Sequence, residues 1–475
     1  MVFSSLIFLF LFLPVVLLGH SLLPMQLKNL FLLAASLLFY AWGETTYTLV
    51  ILGSIAINYL AGVLISKASD ARQRKWTVTV GIVVNVGLLV AFKYVNFFVE
   101  NLNLILASFH WRALPNHPVH LPLGISFFTF QAISYIVDVY RGTVKAQGNL
   151  IDYALYKALF PQLIAGPIVR YVDVSSQINS RFVSRADFAS GVRLFLVGLG
   201  KKVLIANTLA EQVDLIFADP AAQMPASVAW IGIVGFCFQL YFDFSGYSDM
   251  AIGLGRMLGF RFLPNFNYPY ISKTLTEFWQ RWHISLSTWF RDYLFTPMGS
   301  YRRNRNRAYF NLLVVFLLCG LWHGASWNFI VFGAYQGCFL IAERVFRARQ
   351  SPLFKSPLGN VYLISLVLST LVFFRTDTLA HAMSYFGCLL GLVTPAAAAP
   401  EAGVYLNPEV VTAAAAAAIG STPFLPWLTR RLSQRGRALE VMRDWGSVTG
   451  LMLILFLCTA KLAAGTHNPF IYFRF

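Results

Sequence analysis

The residues best suited to chemistry are two histidines, each in a segment that contains tryptophan. His323 stands in Trp322-His323-Gly324, in the middle of window 308–342, which contains no Asp, Glu, Lys or Arg. If the window forms one helix, His323 lies about 22 Å from its start. An ionisable side chain at that depth is costly, which makes it a functional candidate. Imidazole titrates near neutral pH, so it is suited to general acid–base catalysis.

The surroundings of His323 also fit a structural role, in which the imidazole bridges two helices. Gly320 and Gly324 are four residues apart, so they favour either close helix packing or space for a substrate. Cys319 precedes His323 by one helical turn, a spacing at which a histidine can activate a thiol. Free cysteine is more often a small buried apolar residue, however. The sequence alone leaves these alternatives open.

The second histidine, His283, belongs to a polar cluster over 277–292. Glu277 and Arg281 are four residues apart and can pair on one helical face. His283 follows two positions later and points away from that pair. The cluster also fits an amphipathic interfacial helix with tryptophan anchors and outward-reaching arginines. The cluster also includes Ser285, Ser287, Arg291, Asp292, Trp279, Trp282 and Trp289.

A third apolar segment carries two carboxylates, Asp243 and Asp249. Residues six apart do not share a helical face, which argues against a paired acid–base dyad. We expect these carboxylates to hold neighbouring helices or to orient basic partners.

Composition indicates that these residues lie in a membrane protein. Of the 475 residues, 57% are hydrophobic and 12% charged, against about 25% charged in soluble domains. The net charge of +17 comes from basic clusters between apolar runs, which indicates cytoplasmic loops and anionic lipid contacts rather than nucleic acid. The N-terminal run lacks a basic start and a clear cleavage site, which predicts a retained helix. Basic residues alternate between the first loops, which predicts that the N-terminus lies outside. The clusters are Lys67 to Lys75, Arg302 to Arg307 and Arg430 to Arg437.

Apolar runs predict about eleven membrane helices. Segments 155–171 and 268–297 are too polar to span simply, which predicts re-entrant or broken helices. The Ala-rich run 408–428 begins with Asn407-Pro408, a favourable helix start. We found no repeat, so one domain over 1–475 is predicted, with no role assigned to 394–445. The candidate spans are 3–20, 26–42, 46–66, 76–98, 121–140, 186–217, 228–255, 308–342, 359–375, 379–394 and 446–464.

Several long stretches together resemble the membrane-bound O-acyltransferase family, most closely its bacterial polysaccharide-modifying branch. They are MVFSSLIFLFLFLP, LPLGISFFTFQAISYIVDVYRG, ALFPQLIAGPIVRY, the block from YFDFSGYSDM to WFRDYLF, GLWHGASWNFIVFGAYQG and the C-terminal FIYFRF. The resemblance implies an all-α polytopic fold with re-entrant segments around a central tunnel, in the bacterial inner membrane. It also implies that His323 is catalytic and that His283 is its partner.

The resemblance further implies acyl transfer from a cytoplasmic thioester, such as acetyl-CoA, to an exported polysaccharide such as alginate or cellulose. A periplasmic acetyltransferase and a polysaccharide export complex are the expected partners. We hypothesise that His323 deprotonates the acceptor hydroxyl while His283 or a nearby donor stabilises charge. Arg281, Arg291, Trp322 and the loop 302–307 are candidate donor-binding residues. No metal site is expected, since the cysteines lack ligand spacing.

Three alternatives remain at this stage. The same fold performs D-alanyl transfer to teichoic acid and fatty acyl transfer to proteins. A covalent acyl-enzyme relay would involve Cys319. A transporter using its intramembrane ionisable residues is a further class, which inverted repeats would favour.

Overall fold

A computed structural model describes residues 1–218, 223–299, 304–346, 350–396, 399–434 and 437–465, and within these ranges the regular structure is helical. Arg302, Arg303, Arg435 and the C-terminal motif 470–475 lie outside the described residues. The helices are α1 Leu13–Leu22, α2 Met25–Ala41, α3 Thr48–Lys67, α4 Ala71–Lys93, α5 Val95–Ser108, α6 Ile125–Arg141, α7 Leu150–Ala158, α8 Phe160–Leu163, α9 Tyr171–Asn179, α10 Arg185–Gly200, α11 Asn207–Ile216, α12 Ala226–Met257, α13 Leu275–Arg281, α14 Ile284–Phe290, α15 Thr296–Met298, α16 Arg305–His323, α17 Trp327–Val345, α18 Pro352–Lys355, α19 Pro357–Arg375, α20 Leu379–Leu389, α21 Pro408–Gly420, α22 Phe424–Ser433 and α23 Arg437–Ala463.

Five of the described helices are long and apolar enough to cross a membrane, namely α3, α4, α12, α19 and α23. A sixth is added if α21 and α22, which are bent by 68° at a short break, count as one span. In α23 only 6% of the apolar window is buried within the protein. An apolar surface of this extent suits contact with lipid chains rather than with water.

The described chain divides into two compact units, residues 1–191 with 251–263, and residues 192–250 with 264–475. In the first unit α3, α4 and α6 pack against one another, and α2 packs against α7. Five phenylalanine rings from distant positions form the core beside α2, with centroids 5.1 to 6.4 Å apart. Both candidate histidines belong to the second unit. The five phenylalanines are Phe3, Phe8, Phe12, Phe39 and Phe160.

The second unit contains a tight helical hairpin, α16 and α17. The prediction of one continuous helix over 308–342 is wrong, because the chain leaves the helical conformation at Gly324 and α17 begins at Trp327. Two glycines let the helix backbones meet: a Cβ on Gly320 would lie 2.1 Å from the Phe329 oxygen, and one on Gly333 would lie 2.4 Å from the Phe316 oxygen. Gly320 therefore serves close packing, rather than leaving space for a substrate.

Other expectations of broken structure are confirmed. Segment 268–297 consists of short helices and turns, and so does 155–171. The single interfacial helix considered for 277–292 is not formed, because α13 and α14 are separated at His283. The predicted start of α21 is correct, since the Asn407 side chain accepts a hydrogen bond from the Val410 N–H and Pro408 is the first helical residue.

The two aspartates of α12 pair with consecutive lysines that follow α10. Lys202 Nζ lies 2.5 Å from Asp243 Oδ1, with both side chains at most 3% exposed. Lys201 Nζ lies 2.6 Å from Asp249 Oδ2, and these side chains are 22 to 23% exposed. The expectation that the carboxylates orient basic partners is confirmed. Gly198 and Gly246 allow this approach, since a Cβ on Gly198 would lie 2.5 Å from the Gly246 oxygen.

We predict that Asp243→Ala destabilises the protein by about 3–5 kcal/mol, because it leaves the Lys202 ammonium buried without its carboxylate. Asp249→Ala is the matched control, and it should cost less because its ion pair is more exposed. Thermal unfolding of the purified protein in detergent compares the two variants. Equal losses of stability in the two variants would contradict this prediction, because they would show that burial does not strengthen the contribution of the Lys202–Asp243 pair.

Candidate active site

His323 is the last residue of α16, and its position follows from the turn that ends that helix. The side chain is 3% exposed and is surrounded by aromatic rings. The ring centroids of Trp322, Phe374 and Phe332 lie 4.9, 5.2 and 5.6 Å from that of the imidazole. These rings come from α16, α19 and α17, so three helices define an apolar environment around one titratable group.

His283 is held between α13 and α14 in an unusual backbone conformation. Its φ of 44° and ψ of 55° lie in the left-handed region, which few residues other than glycine adopt. The start of α13 is fixed by the buried Glu343 of α17, whose carboxylate accepts hydrogen bonds from the Leu275 and Thr276 N–H groups. Helix α17 therefore anchors the segment that carries His283. Strain of this kind is typical of functional sites.

Asn265 determines which nitrogen of His283 carries a proton. Asn265 Oδ1 accepts a hydrogen bond from the Ser285 backbone N–H at 3.2 Å, and because that group can only donate, the atom facing it must be the amide oxygen. The same Oδ1 lies 3.3 Å from His283 Nδ1. Asn265 Nδ2 donates to Ser248 Oγ at 3.0 Å, which agrees with this orientation. His283 therefore donates through Nδ1–H, and in its neutral form Nε2 carries the lone pair.

The surroundings of His283 favour that neutral form. Burial lowers the pKa of His283 well below the usual histidine value, and the nearby His323 lowers it further. The Phe244 ring packs edge-on, with its centroid 4.6 Å away. A neutral His283 presents a hydrogen-bond acceptor, whereas stabilising an oxyanion through Nε2 would require the disfavoured cation.

Trp322 contacts both histidines, as its ring centroid lies 4.9 Å from that of His323 and 5.9 Å from that of His283. The structure thus brings together three of the residues selected from the sequence. The indole is 4% exposed and does not line either of the cavities described next. Its predicted role in donor binding remains a prediction.

Two cavities lie in this part of the second unit. The smaller, about 40 Å³, is lined by His323 together with Trp282, Phe332, Gln336 and Phe374. The larger, about 330 Å³, is lined by Cys319, Leu312, Phe316, Arg291 and Arg344. Although Cys319 and His323 stand one turn apart on α16, they line different cavities. This arrangement does not favour activation of the thiol by that histidine.

The two arginines proposed for donor binding differ in position. Arg281 pairs with Glu277 at 3.0 Å, as the spacing predicts, and also donates to the backbone carbonyl oxygen of Asn267. Arg291 lines the larger cavity, is 63% exposed and pairs with Asp292 at 2.7 Å. Arg344 of α17 lines the same cavity. Two cations thus border the larger cavity, and Arg281 does not line it.

No cluster of three or more His, Cys, Asp or Glu residues with a geometry suited to a metal ion occurs in the described part of the chain. The expectation of a metal-free reaction stays a prediction.

Comparison with known proteins identifies the family of this chain. The model of the membrane-bound O-acyltransferase family matches residues 36–384, which include both histidines and both cavities. This chain belongs to that family. It is therefore an all-α membrane protein and an O-acyltransferase, as the sequence motifs indicated.

Three relatives are similar over most of their lengths. The probable alginate O-acetylase of Pseudomonas aeruginosa is 47% identical over 83% of this chain and 76% of its own length. That of Pseudomonas putida is 40% identical over the whole of both chains. The peptidoglycan O-acetyltransferase of Helicobacter pylori is 34% identical over all of this chain and 98% of its own.

Sequence reasoning missed several residues that shape this site. Asn265 lies in a stretch without regular structure, and nothing in its neighbourhood marks it. Gln336 and Glu343 offered a better signal, since polar residues within or directly after an apolar run need partners. Arg344 follows Glu343 directly and was missed with it.

We predict that Asn265→Ala lowers kcat roughly 10- to 100-fold with little change in KM, because His283 loses the group that orients its ring. Asn265→Asp should restore much of the rate but move the acid limb of the pH profile to higher pH. A carboxylate facing Nδ1 favours the imidazolium and raises the pKa of His283, so the neutral form appears only at higher pH.

The pH dependence of acyl transfer, measured for both variants, separates orientation from folding. Loss of activity in both variants with an unshifted profile in the residual activity would contradict this assignment to Asn265.

Proposed function

We propose that this protein O-acetylates an exported polysaccharide, using a cytoplasmic acetyl thioester and His323 as general base. The observation that carries the proposal is the small His323 cavity beside a larger cavity bordered by two arginines. The relatives named for acetylation of alginate and of peptidoglycan support acetyl transfer to a polymer hydroxyl. Because those two polymers differ, the acceptor is proposed only as a class, with alginate first and cellulose as a further candidate.

The reaction requires an acceptor hydroxyl to attack the thioester carbonyl carbon. His323 would take the hydroxyl proton as the new C–O bond forms, and it would return a proton to the thiolate when the C–S bond breaks. The products are an acetyl ester and a free thiol, so atoms and protons balance. A general base near its operating pH contributes typically 10²- to 10⁴-fold to such a step.

His283 has a different role in this proposal. With Nδ1–H engaged by Asn265 Oδ1, a neutral His283 can accept a hydrogen bond through Nε2. It would therefore orient the acceptor hydroxyl or the His323 ring, rather than stabilise the oxyanion as the sequence hypothesis allowed. Oxyanion stabilisation would then come from another donor.

The donor would approach through the larger cavity. Its volume of about 330 Å³ is within the range of small-molecule sites, about 300–1,000 Å³. Arg291 and Arg344 border it and would attract an anionic donor such as acetyl-CoA. Arg281, which pairs with Glu277, would then serve chiefly to hold α13. Trp322 would support the two imidazoles.

We further propose a bacterial inner-membrane location, with the acetyl group passed to a periplasmic acetyltransferase associated with polysaccharide export. The support is the resemblance to the polysaccharide-modifying branch and the bacterial origin of the relatives. One membrane domain covering the whole chain remains part of the proposal.

The test is the acetyl content of the secreted polysaccharide in a strain that lacks the gene, complemented at matched expression. Wild type should restore acetylation, and His323→Ala should not, because the base for the hydroxyl proton is lost. Cys319→Ser is the matched control on the same helix, and it should restore acetylation if no acyl-cysteine forms.

Each other outcome is informative. Restoration by His323→Ala would show that this histidine is structural. The alternative that the protein is a transporter would then have to be considered again. Failure of Cys319→Ser with folded protein would favour a covalent relay. If loss of the gene left acetylation unchanged but altered D-alanyl or fatty acyl esters, the enzyme would transfer that acyl group instead of acetyl.

A further inference from the structure

We propose that Trp279 is the partition between the two cavities and that it limits the acyl group at His323 to about two carbons. The inference rests on the proposed acyl transfer but goes further, because it assigns chain-length specificity to one side chain. Trp279 lines both the cavity of about 40 Å³ and that of about 330 Å³. Removing its indole would therefore join the space beside His323 to the space beside Cys319.

Directional contacts hold the indole in this position. Trp279 Nε1 donates to Gln336 Oε1 at 3.0 Å, and because an indole N–H can only donate, Gln336 must present its oxygen. Gln336 Nε2 then donates to Thr370 Oγ1 at 3.1 Å, and the Thr370 hydroxyl donates to the Leu366 oxygen. This chain connects α13 through α17 to α19. Its buried members, Gln336 and Thr370, are 3% and 1% exposed.

The opposite contact of the indole lies on the side of the larger cavity. The Phe316 ring, which lines that cavity, packs edge-on against Trp279 with a centroid distance of 5.2 Å. Trp279 is thus held by a hydrogen bond to Gln336, which lines the smaller cavity, and by an aromatic contact with Phe316, which lines the larger. A side chain restrained in this way separates the cavities as a fixed wall.

The size of the smaller cavity gives the expected limit. The smaller cavity, about 40 Å³, has roughly one eighth of the volume of the larger, about 330 Å³. It is lined by the aromatic side chains of Trp282, Phe332 and Phe374. The space beside His323 therefore suits a short acyl group such as acetyl, and a longer chain would need the space beyond Trp279.

The first experiment measures transfer from thioesters of different lengths. The probes are acetyl, butyryl and hexanoyl thioesters of coenzyme A and of N-acetylcysteamine, the second series avoiding any need for phosphate recognition. Wild type should use acetyl best. Trp279→Ala should raise the butyryl-to-acetyl ratio of rates at least tenfold, with Trp279→Phe in between. Trp230→Ala, at an exposed tryptophan on α12 that lines neither cavity, should leave the ratio unchanged.

The second experiment needs no enzymatic activity. Leu371 lines the smaller cavity and Cys319 the larger, so Leu371→Cys is treated with a small methanethiosulfonate and labelling is quantified per site by mass spectrometry. Cys319 should react whether or not Trp279→Ala is present. Leu371→Cys should react at least tenfold faster once Trp279→Ala is added.

The outcomes separate this inference from the proposed function. An active Trp279→Ala enzyme with the wild-type ratio, or equal labelling of Leu371→Cys in both backgrounds, would overturn the partition. Absence of transfer from every thioester in wild type would remove the proposed function, while labelling still tests the wall. If Trp279→Ala fails to fold, Trp279→Phe and Gln336→Leu take its place, each expected to shift the ratio and the labelling in the same direction.

Discussion

Every polar group that this chain carries into its apolar interior needs a partner inside the protein, and this constraint organises the second unit. The Glu343 carboxylate accepts from the start of α13, and the Asn265 oxygen accepts from the start of α14 and from His283. The Gln336 amide connects α13 to α19. Each bond would cost several kcal/mol to leave unmade in an apolar medium. The short helices around the histidines are held by these few bonds, rather than by their own length.

Much of this arrangement could be predicted from the sequence. His323 was recognised because an ionisable group in an apolar window is costly, and His283 from a polar cluster and from the resemblance to a known family. The structure places both in one buried region, linked by Trp322. The carboxylates of α12 and the first turn of α21 were predicted from spacing and from capping chemistry. These successes share one property: the decisive information lies within a few residues of the position concerned.

The features that the sequence did not predict depend on residues far apart in the chain. An uncharged window of 35 residues has the same composition whether it is one long helix or a hairpin, and the hairpin depends on close approaches between its two helices, such as that of Gly320 to Gly333. Asn265 acts on a histidine 18 positions away, and Trp279 acquires its role only where two cavities meet. No local periodicity reports such contacts, because they depend on which distant segments fold against each other.

The left-handed backbone at His283 has a consequence for sequence variation at this position. Besides glycine, asparagine and aspartate adopt this conformation more readily than other residues, as histidine does, whereas β-branched side chains are strongly disfavoured. A residue that replaces His283 must therefore meet two requirements, one set by the backbone conformation and one by the chemistry of the imidazole ring. Asparagine meets the backbone requirement but lacks the imidazole ring, so a chain that carried it here would keep the backbone conformation of the segment and lose the Nε2 acceptor and the packing of the ring against Phe244 and Trp322.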